Sequence, residues 1–179
     1  MNLHFMLPLL ALFTLGLAPE DTEPRLIQRD KQPYVAIRTT VTLKDYGTKA
    51  PPLWPEVVKW LAARGMKPSG PPLARYVVVD MPKEMQLEIG FPVSKAVKGD
   101  KRVISGFLPA GKYVEVVHKG DYSGMIPANA ALQEWAQKQG LQWKMSGNTW
   151  IGRVEFNRVD PGDTTDSSKW ETQILYLVK

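Results

Sequence analysis

The chain has 179 residues and a formal net charge of +5, with 44% hydrophobic and 23% charged residues. That size and balance suit one compact domain, or one duplicated domain, and exclude bulk disorder. It contains no cysteine and two histidines, His4 and His118, which excludes disulfides, thiol catalysis, zinc–thiolate sites and any histidine cluster.

Phe5 to Ala18 (FMLPLLALFTLGLA) is an uncharged apolar run of 14 residues. A membrane-spanning helix needs about 20 residues, so the run matches the apolar core of a secretory signal better than a span. Two features oppose cleavage. Met1-Asn2-Leu3-His4 carries no Lys or Arg, and Pro19 would follow the cut. An uncleaved anchor, a core segment and a start-site artefact remain alternatives. Residues 1–18 are therefore expected to be a signal peptide or membrane anchor, and the protein exported (periplasmic or extracellular) or membrane-anchored. Membrane association would run through residues 1–18. The polar stretch 19–32 (PEDTEPRLIQRDKQ) reads as a linker.

A pattern then occurs twice. Tyr34–Leu43 alternates and is β-branched, as a strand does. Trp54, Val57, Val58 and Leu61 follow at i, i+3, i+4 and i+7, which predicts a helix with Pro55 in its first turn and Gly65 as its stop. Leu73–Asp80 and Met85–Val93 read as two strands. After the connector Ser94–Arg102 the order returns. Tyr113–His118 reads as a strand, Ala128, Ala131, Leu132 and Trp135 as a helix stopped by Gly140, and Trp150–Arg158 and Thr172–Val178 as closing strands. The expected fold is α+β. Two strand–helix–strand–strand units (33–93 and 112–178, within a domain 33–179) form one curved antiparallel sheet. The two helices cover one face, and a ligand cleft lies on the other.

Alternation also sorts the candidate chemistry. In Trp150–Arg158, Ile151, Arg153, Glu155 and Asn157 share one face, and Trp150, Gly152, Val154 and Phe156 the other. Glu155 and Glu88 lie mid-strand, where an acidic residue is disfavoured. Glu155 reads equally as a surface ion pair with Arg153 or as a pocket carboxylate facing a cationic or electrophilic ligand. Trp60 and Trp135 read as core, whereas Trp54 and Trp150 suit a pocket rim. His118, beside Lys119-Gly120, reads as turn support more readily than as a catalyst. Gly106–Lys112 fits G-x-x-x-x-G-K, but Tyr113 and a strand follow, so a phosphate loop is excluded. The basic residues are scattered, so the positive balance reads as solvated surface and nucleic acid is not expected as a partner. No metal or cofactor is expected, and no protein partner is identifiable.

Several stretches resemble the GyrI-like small-molecule-binding domain, which also forms the effector-binding half of multidrug-sensing transcription regulators. They are Glu88-Ile89-Gly90-Phe91-Pro92-Val93, Leu108-Pro109-Ala110-Gly111-Lys112-Tyr113 and His118-Lys119-Gly120-Asp121-Tyr122. Glu155 followed six residues later by Pro161, and Trp170-Glu171-Thr172, complete the set. Their order and spacing run from about Pro33 to Val178. The resemblance implies the same duplicated fold and an aromatic-lined cleft between the halves, with a central glutamate that falls on Glu155. A tyrosine common two residues later is Asn157 here. No helix-turn-helix region precedes the domain in this sequence, which disfavours a transcription-factor role.

Three readings follow. In the first, the cleft binds a small, largely apolar, aromatic and possibly cationic molecule, with Glu155 as central carboxylate and Trp54, Tyr76, Phe91 and Trp150 around it. In the second, the resemblance implies hydrolysis of electrophilic, cyclopropane-bearing compounds, as in some stand-alone members, with Glu155 as general base and Tyr76 positioning the leaving group. In the third, the chain binds haem, as SOUL proteins of similar duplicated fold do, through His118.

Overall fold

Among the described residues the chain forms ten strands, eight of which join one sheet. The structure is a computed structural model that describes residues 21–81 and 83–179. The apolar run 5–18, and with it the signal or anchor expectation, lies outside the described residues. The strands of the main sheet are β1 (Arg25–Arg29), β2 (Gln32–Val41), β3 (Leu73–Asp80), β4 (Glu84–Pro92), β5 (Ile104–Leu108), β6 (Gly111–Lys119), β9 (Arg153–Val159) and β10 (Glu171–Leu177). A separate two-stranded ribbon pairs β7 (Met145–Ser146) with β8 (Thr149–Trp150). The helices are α1 (Tyr46–Lys49), α2 (Leu53–Ala62) and α3 (Met125–Lys138).

The sheet order is β1-β6-β10-β9-β3-β4-β2-β5, and every pairing is antiparallel. The two expected units are present. Half one contributes β2, β3 and β4, half two contributes β6, β9 and β10, and the halves meet at the β3–β9 seam. That seam pairs Leu73 with Phe156, Ala74 with Glu155 and Arg75 with Val154. The edges exchange partners. β1 precedes half one in the chain yet pairs with β6 of half two. β5 precedes half two yet pairs with β2 of half one.

Two expectations are corrected here. The stretch 19–32 is not a simple linker, because Leu26 and Ile27 fall within β1, which hydrogen-bonds along the free edge of β6. Further back, the Thr22 amide donates to the Val117 carbonyl at 3.0 Å, and the Val117 amide donates to Thr22 Oγ1 at 2.8 Å. An open strand edge is an unpaired row of donors and acceptors, and a polar segment can fill it as well as an apolar one. Trp150–Arg158 is likewise not one strand. It breaks at Ile151-Gly152 between β8 and β9. A Cβ at Gly152 would lie 2.7 Å from the Leu177 side chain and 2.9 Å from the Tyr113 hydroxyl, so this close approach requires glycine.

One face of the sheet carries the helices. α2 buries Val57 and Leu61 against Val35, Ile37, Phe91 and Val93. α3 buries Ala128, Leu132 and Ala136 against Val114, Val116, Ile174 and Tyr176. The i, i+4 stripe of α3 thus runs through Ala136, and Ala131 is exposed. Trp135 packs at the margin of this cluster, as expected. Trp60 likewise packs at the margin of the cluster under α2, and its indole N–H donates to Asp100, tying α2 to the connector between the halves. On the other face the curl brings both halves together. Tyr34, Leu73, Leu108, Tyr113, Val154, Phe156, Leu175 and Leu177 form one cluster there.

Gly90 shows how tightly β4 is held between β2 and β3. A Cβ there would stand 1.9 Å from the Val35 carbonyl oxygen and 2.6 Å from the Ala36 Cα. Backbone atoms cannot swing aside as a flexible side chain does. Gly90→Ala should lower unfolding stability by about 3 kcal/mol, at the upper end for overpacking. A urea midpoint equal to the wild type would show that the strands part freely.

Candidate functional site

Three glutamates are buried in this sheet, and their surroundings differ. Glu88 on β4 and Glu115 on β6 are 2% and 3% exposed. Glu88 accepts from Arg75 at 2.8 Å, from Arg38 at 3.0 Å and from the Tyr34 hydroxyl. Burial raises its pKa, but these donors outweigh burial and hold it below the usual value. Glu115 accepts from Gln173, from Arg25 and, at 3.5 Å, from Arg158. It too is held below the usual carboxylate value despite the opposing effect of burial. Both are neutralised structural carboxylates.

Glu155 is not neutralised in this way. It is 6% exposed and has only neutral hydrogen-bond partners among the described residues. The Tyr76 hydroxyl donates to one oxygen at 2.6 Å, and the Asn129 amide on α3 donates to the other at 3.1 Å. The hydroxyl of Tyr176 donates in turn to Asn129 Oδ1 at 2.7 Å, which orients that amide. Burial raises the Glu155 pKa above its usual value, against the opposing pull of Tyr76, Arg153 and Asn129. Burial also raises the Tyr76 pKa well above that of a free phenol, and the Glu155 charge adds to this. A register shift between Tyr76 and Val78 marks a bulge immediately after Tyr76. Bulges re-aim side chains, and they are frequent beside functional sites.

Arg153 lies two residues before Glu155 but forms no ion pair with it among the described residues. Its guanidinium instead stands over three aromatic rings, at 4.7 Å from Tyr176, 4.9 Å from Tyr76 and 5.2 Å from Trp150. Its buried Nε has no hydrogen-bond partner. Trp143 packs on Trp150 and Tyr176 and extends the aromatic wall. The surface ion pair weighed for Glu155 and Arg153 is therefore absent. In its place are a buried carboxylate and a cation enclosed by aromatic faces.

The residues singled out in the sequence divide. Glu155, Tyr76 and Trp150 come together around Arg153. Trp54 packs beside Tyr76 in the cluster under α2, and its indole N–H donates to the Leu73 carbonyl at 3.1 Å. Phe91 lies in the apolar cluster beneath α2, away from the hydrogen bonds of Glu155. The group also sits on the helix-bearing side, since Asn129 of α3 bonds Glu155. The opposite face, where the cleft was expected, is filled at its centre by the cluster that the curl closes. His118 has both ring nitrogens engaged, with Asp21 at 2.7 Å and the Asp121 carbonyl at 2.9 Å. A haem iron would have to displace one of these partners.

Asn129 and Tyr176 were not assigned from sequence, and Arg153 was weighed only as a surface partner of Glu155. Asn129 adjoins Ala128 in the stripe that α3 buries, and a polar residue in that phase was the available signal. Trp150 was assigned to the face opposite Arg153, because the break at Gly152 resets the alternation.

A family model for the GyrI-like small-molecule-binding domain matches residues 22–179. The chain belongs to the GyrI-like family. Among solved structures, EcmrR in a complex with DNA is 22% identical with a TM-score of 0.71, covering 89% of this chain and 57% of that one. This GyrI-like chain thus spans little more than half of the whole EcmrR chain. The isolated C-terminal domain of EcmrR is 21% identical, with a TM-score of 0.69 and coverage of 87% and 96%. SAV2435, solved with tetraphenylphosphonium, is 16% identical, with a TM-score of 0.59 and coverage of 88% and 94%. A hydrolase from Listeria innocua is 13% identical, with a TM-score of 0.60 and coverage of 88% and 92%. At these identities the likeness is one of fold. No curated protein matches.

The raised pKa of Glu155 has a stability signature. A carboxyl whose folded pKa lies above its unfolded one favours folding while protonated, and that stability is lost as pH rises through the folded value. Wild type should therefore lose stability relative to Glu155→Gln as pH rises above 4.5, the unperturbed value. Parallel stability curves for the two proteins between pH 4 and 8, roughly the carboxyl-to-histidine range, would contradict this. Tyr76→Phe should lose about 1–3 kcal/mol at neutral pH, because it strips a donor from a buried carboxylate.

Proposed function

We propose that this GyrI-like domain binds small lipophilic cations between the helices and the sheet, with Glu155 as counter-charge. The observation that carries the reading is the contrast among the three buried glutamates. Glu88 and Glu115 have guanidinium partners, while Glu155 has only neutral donors. Tyr76, Trp150 and Tyr176 supply the faces on which a cation stacks, worth about 0.5–2 kcal/mol per contact. Arg153 already occupies that box, so an incoming cation takes the place of its guanidinium. Entry also requires α3 to give way, because its Asn129 bonds Glu155 and Glu155 is closed from solvent. SAV2435 was solved with tetraphenylphosphonium, which makes that cation a suitable probe.

Titration calorimetry with tetraphenylphosphonium tests the proposal. Wild type should bind, and Glu155→Gln should weaken binding at least about tenfold, or 1.4 kcal/mol. Arg153→Ala should tighten it by vacating the box. Affinity should rise with pH, because the ligand needs the ionised carboxylate. Equal affinity in wild type and Glu155→Gln removes the proposal.

The 2.6 Å bond between Tyr76 and Glu155 supports a second reading. A buried carboxylate with a raised pKa, beside a phenol that can steady a leaving oxygen, suits a general base acting on water. On that reading wild type hydrolyses an activated cyclopropane substrate and Glu155→Ala does not. Product analysis showing equal turnover in both eliminates it.

A further inference from the structure

A depression opens on the side of the sheet away from Glu155. Its volume is about 730 Å³, within the range of small-molecule pockets. It lies where the end of β1 meets β9 and the loops 69–72 and 160–163. Phe156 of β9 forms part of its lining, and Pro71, Pro72 and Pro92 contribute rigid walls without amide donors.

Two guanidiniums face this space. Arg29, at the end of β1, lies over the Phe156 ring at 5.3 Å and has no ion-pair partner among the described residues. Burial draws its pKa below the usual arginine value, against the opposing pull of Tyr113 and Glu115. Arg158 reaches Glu115 only at 3.5 Å, and Arg25 is already at 2.7 Å from that carboxylate. The acidic residues of the rim are turned into their own loop. Asp160 Oδ1 accepts from the Gly162 amide at 2.7 Å, and Asp163 Oδ2 accepts from the Asp160 amide at 3.0 Å. Gln173, buried at the edge of the depression, gives its side-chain N–H to Glu115.

The depression thus offers an aromatic surface, an apolar wall and two under-compensated guanidiniums. Guanidinium forks match carboxylates and sulfonates in a bidentate geometry, and a stacked one is already held in place. We infer that this depression is a binding site for small aromatic acids, separate from the Glu155 site. The anionic group meets Arg29 and Arg158, and the ring lies against Phe156 and the prolines. The two sites accept opposite charges on opposite faces of one sheet, so neither proposal rests on the other.

The test uses the described domain in its full chain, with 2-naphthoate as probe and calorimetry as readout. Wild type should bind 2-naphthoate, and neutral 2-naphthylmethanol should bind at least about tenfold more weakly, or 1.4 kcal/mol. Arg29→Gln should lose at least the same factor, and Arg29→Lys should recover part of it. Arg158→Gln gives an independent reading should Arg29→Gln fail to fold. Glu155→Gln should bind 2-naphthoate as wild type does. Three results would overturn the inference. They are wild-type affinity in the arginine variants, equal binding of the alcohol, and loss of naphthoate binding in Glu155→Gln.

Discussion

A carboxylate taken out of water must be compensated, and this sheet does so in two ways. Glu88 and Glu115 each draw guanidinium groups across neighbouring strands. The cross-strand contacts Arg75–Glu88 and Arg38–Glu88 tie β3, β4 and β2 together, and Arg25–Glu115 ties β1 to β6. Such pairs add little net stability against an apolar alternative, but removing one partner is costly. Glu155 lies at the seam opposite Ala74, with two neutral donors in place of a guanidinium. The surrounding phenols and the Asn129 amide are arranged around that incompletely compensated charge. A group left in this condition responds to whatever enters beside it.

The periodic parts of the fold were legible because they follow directly from side-chain spacing. Leu73–Asp80 reads as a strand in both sequence and structure, and the Trp54–Leu61 spacing marks α2. β1 was not legible, since a polar segment on an edge needs only backbone hydrogen bonds and leaves little apolar trace. β5 was hidden similarly, beside the glycine and proline of GFLPAGK. The site was half legible. Glu155 and Tyr76 stood out as polar or amphipathic residues within strands. Trp150 was named as a rim residue, but the hydrogen-bonding partners Asn129, from a helix, and Tyr176, from the last strand, came from elsewhere in the chain. Strand alternation cannot predict contacts across a break such as Gly152.

Arg153 links the two readings of this region. In sequence a surface ion pair between it and Glu155 weighed equally with a pocket role for that carboxylate. In the structure its charge is spread over three rings while its Nε lacks a partner. The aromatic faces are therefore not a passive core, since they already hold a cation of their own. On the proposed reading a ligand would compete with that side chain as well as with water, so the occupied box would favour guests that stack better than a guanidinium.

The exchanged edge strands bear on how the two halves came to act as one. Here β1 and β5 each leave their neighbour in the chain and complete the other unit's sheet. Neither half retains all of its strand partners when cut from the other. Much of the pairing joins residues far apart in sequence, so the chain must close long loops before its edges are satisfied, a topology associated with slow and concerted folding. The repeat is visible in the order of its elements, but each half takes a strand from beyond itself to complete its sheet.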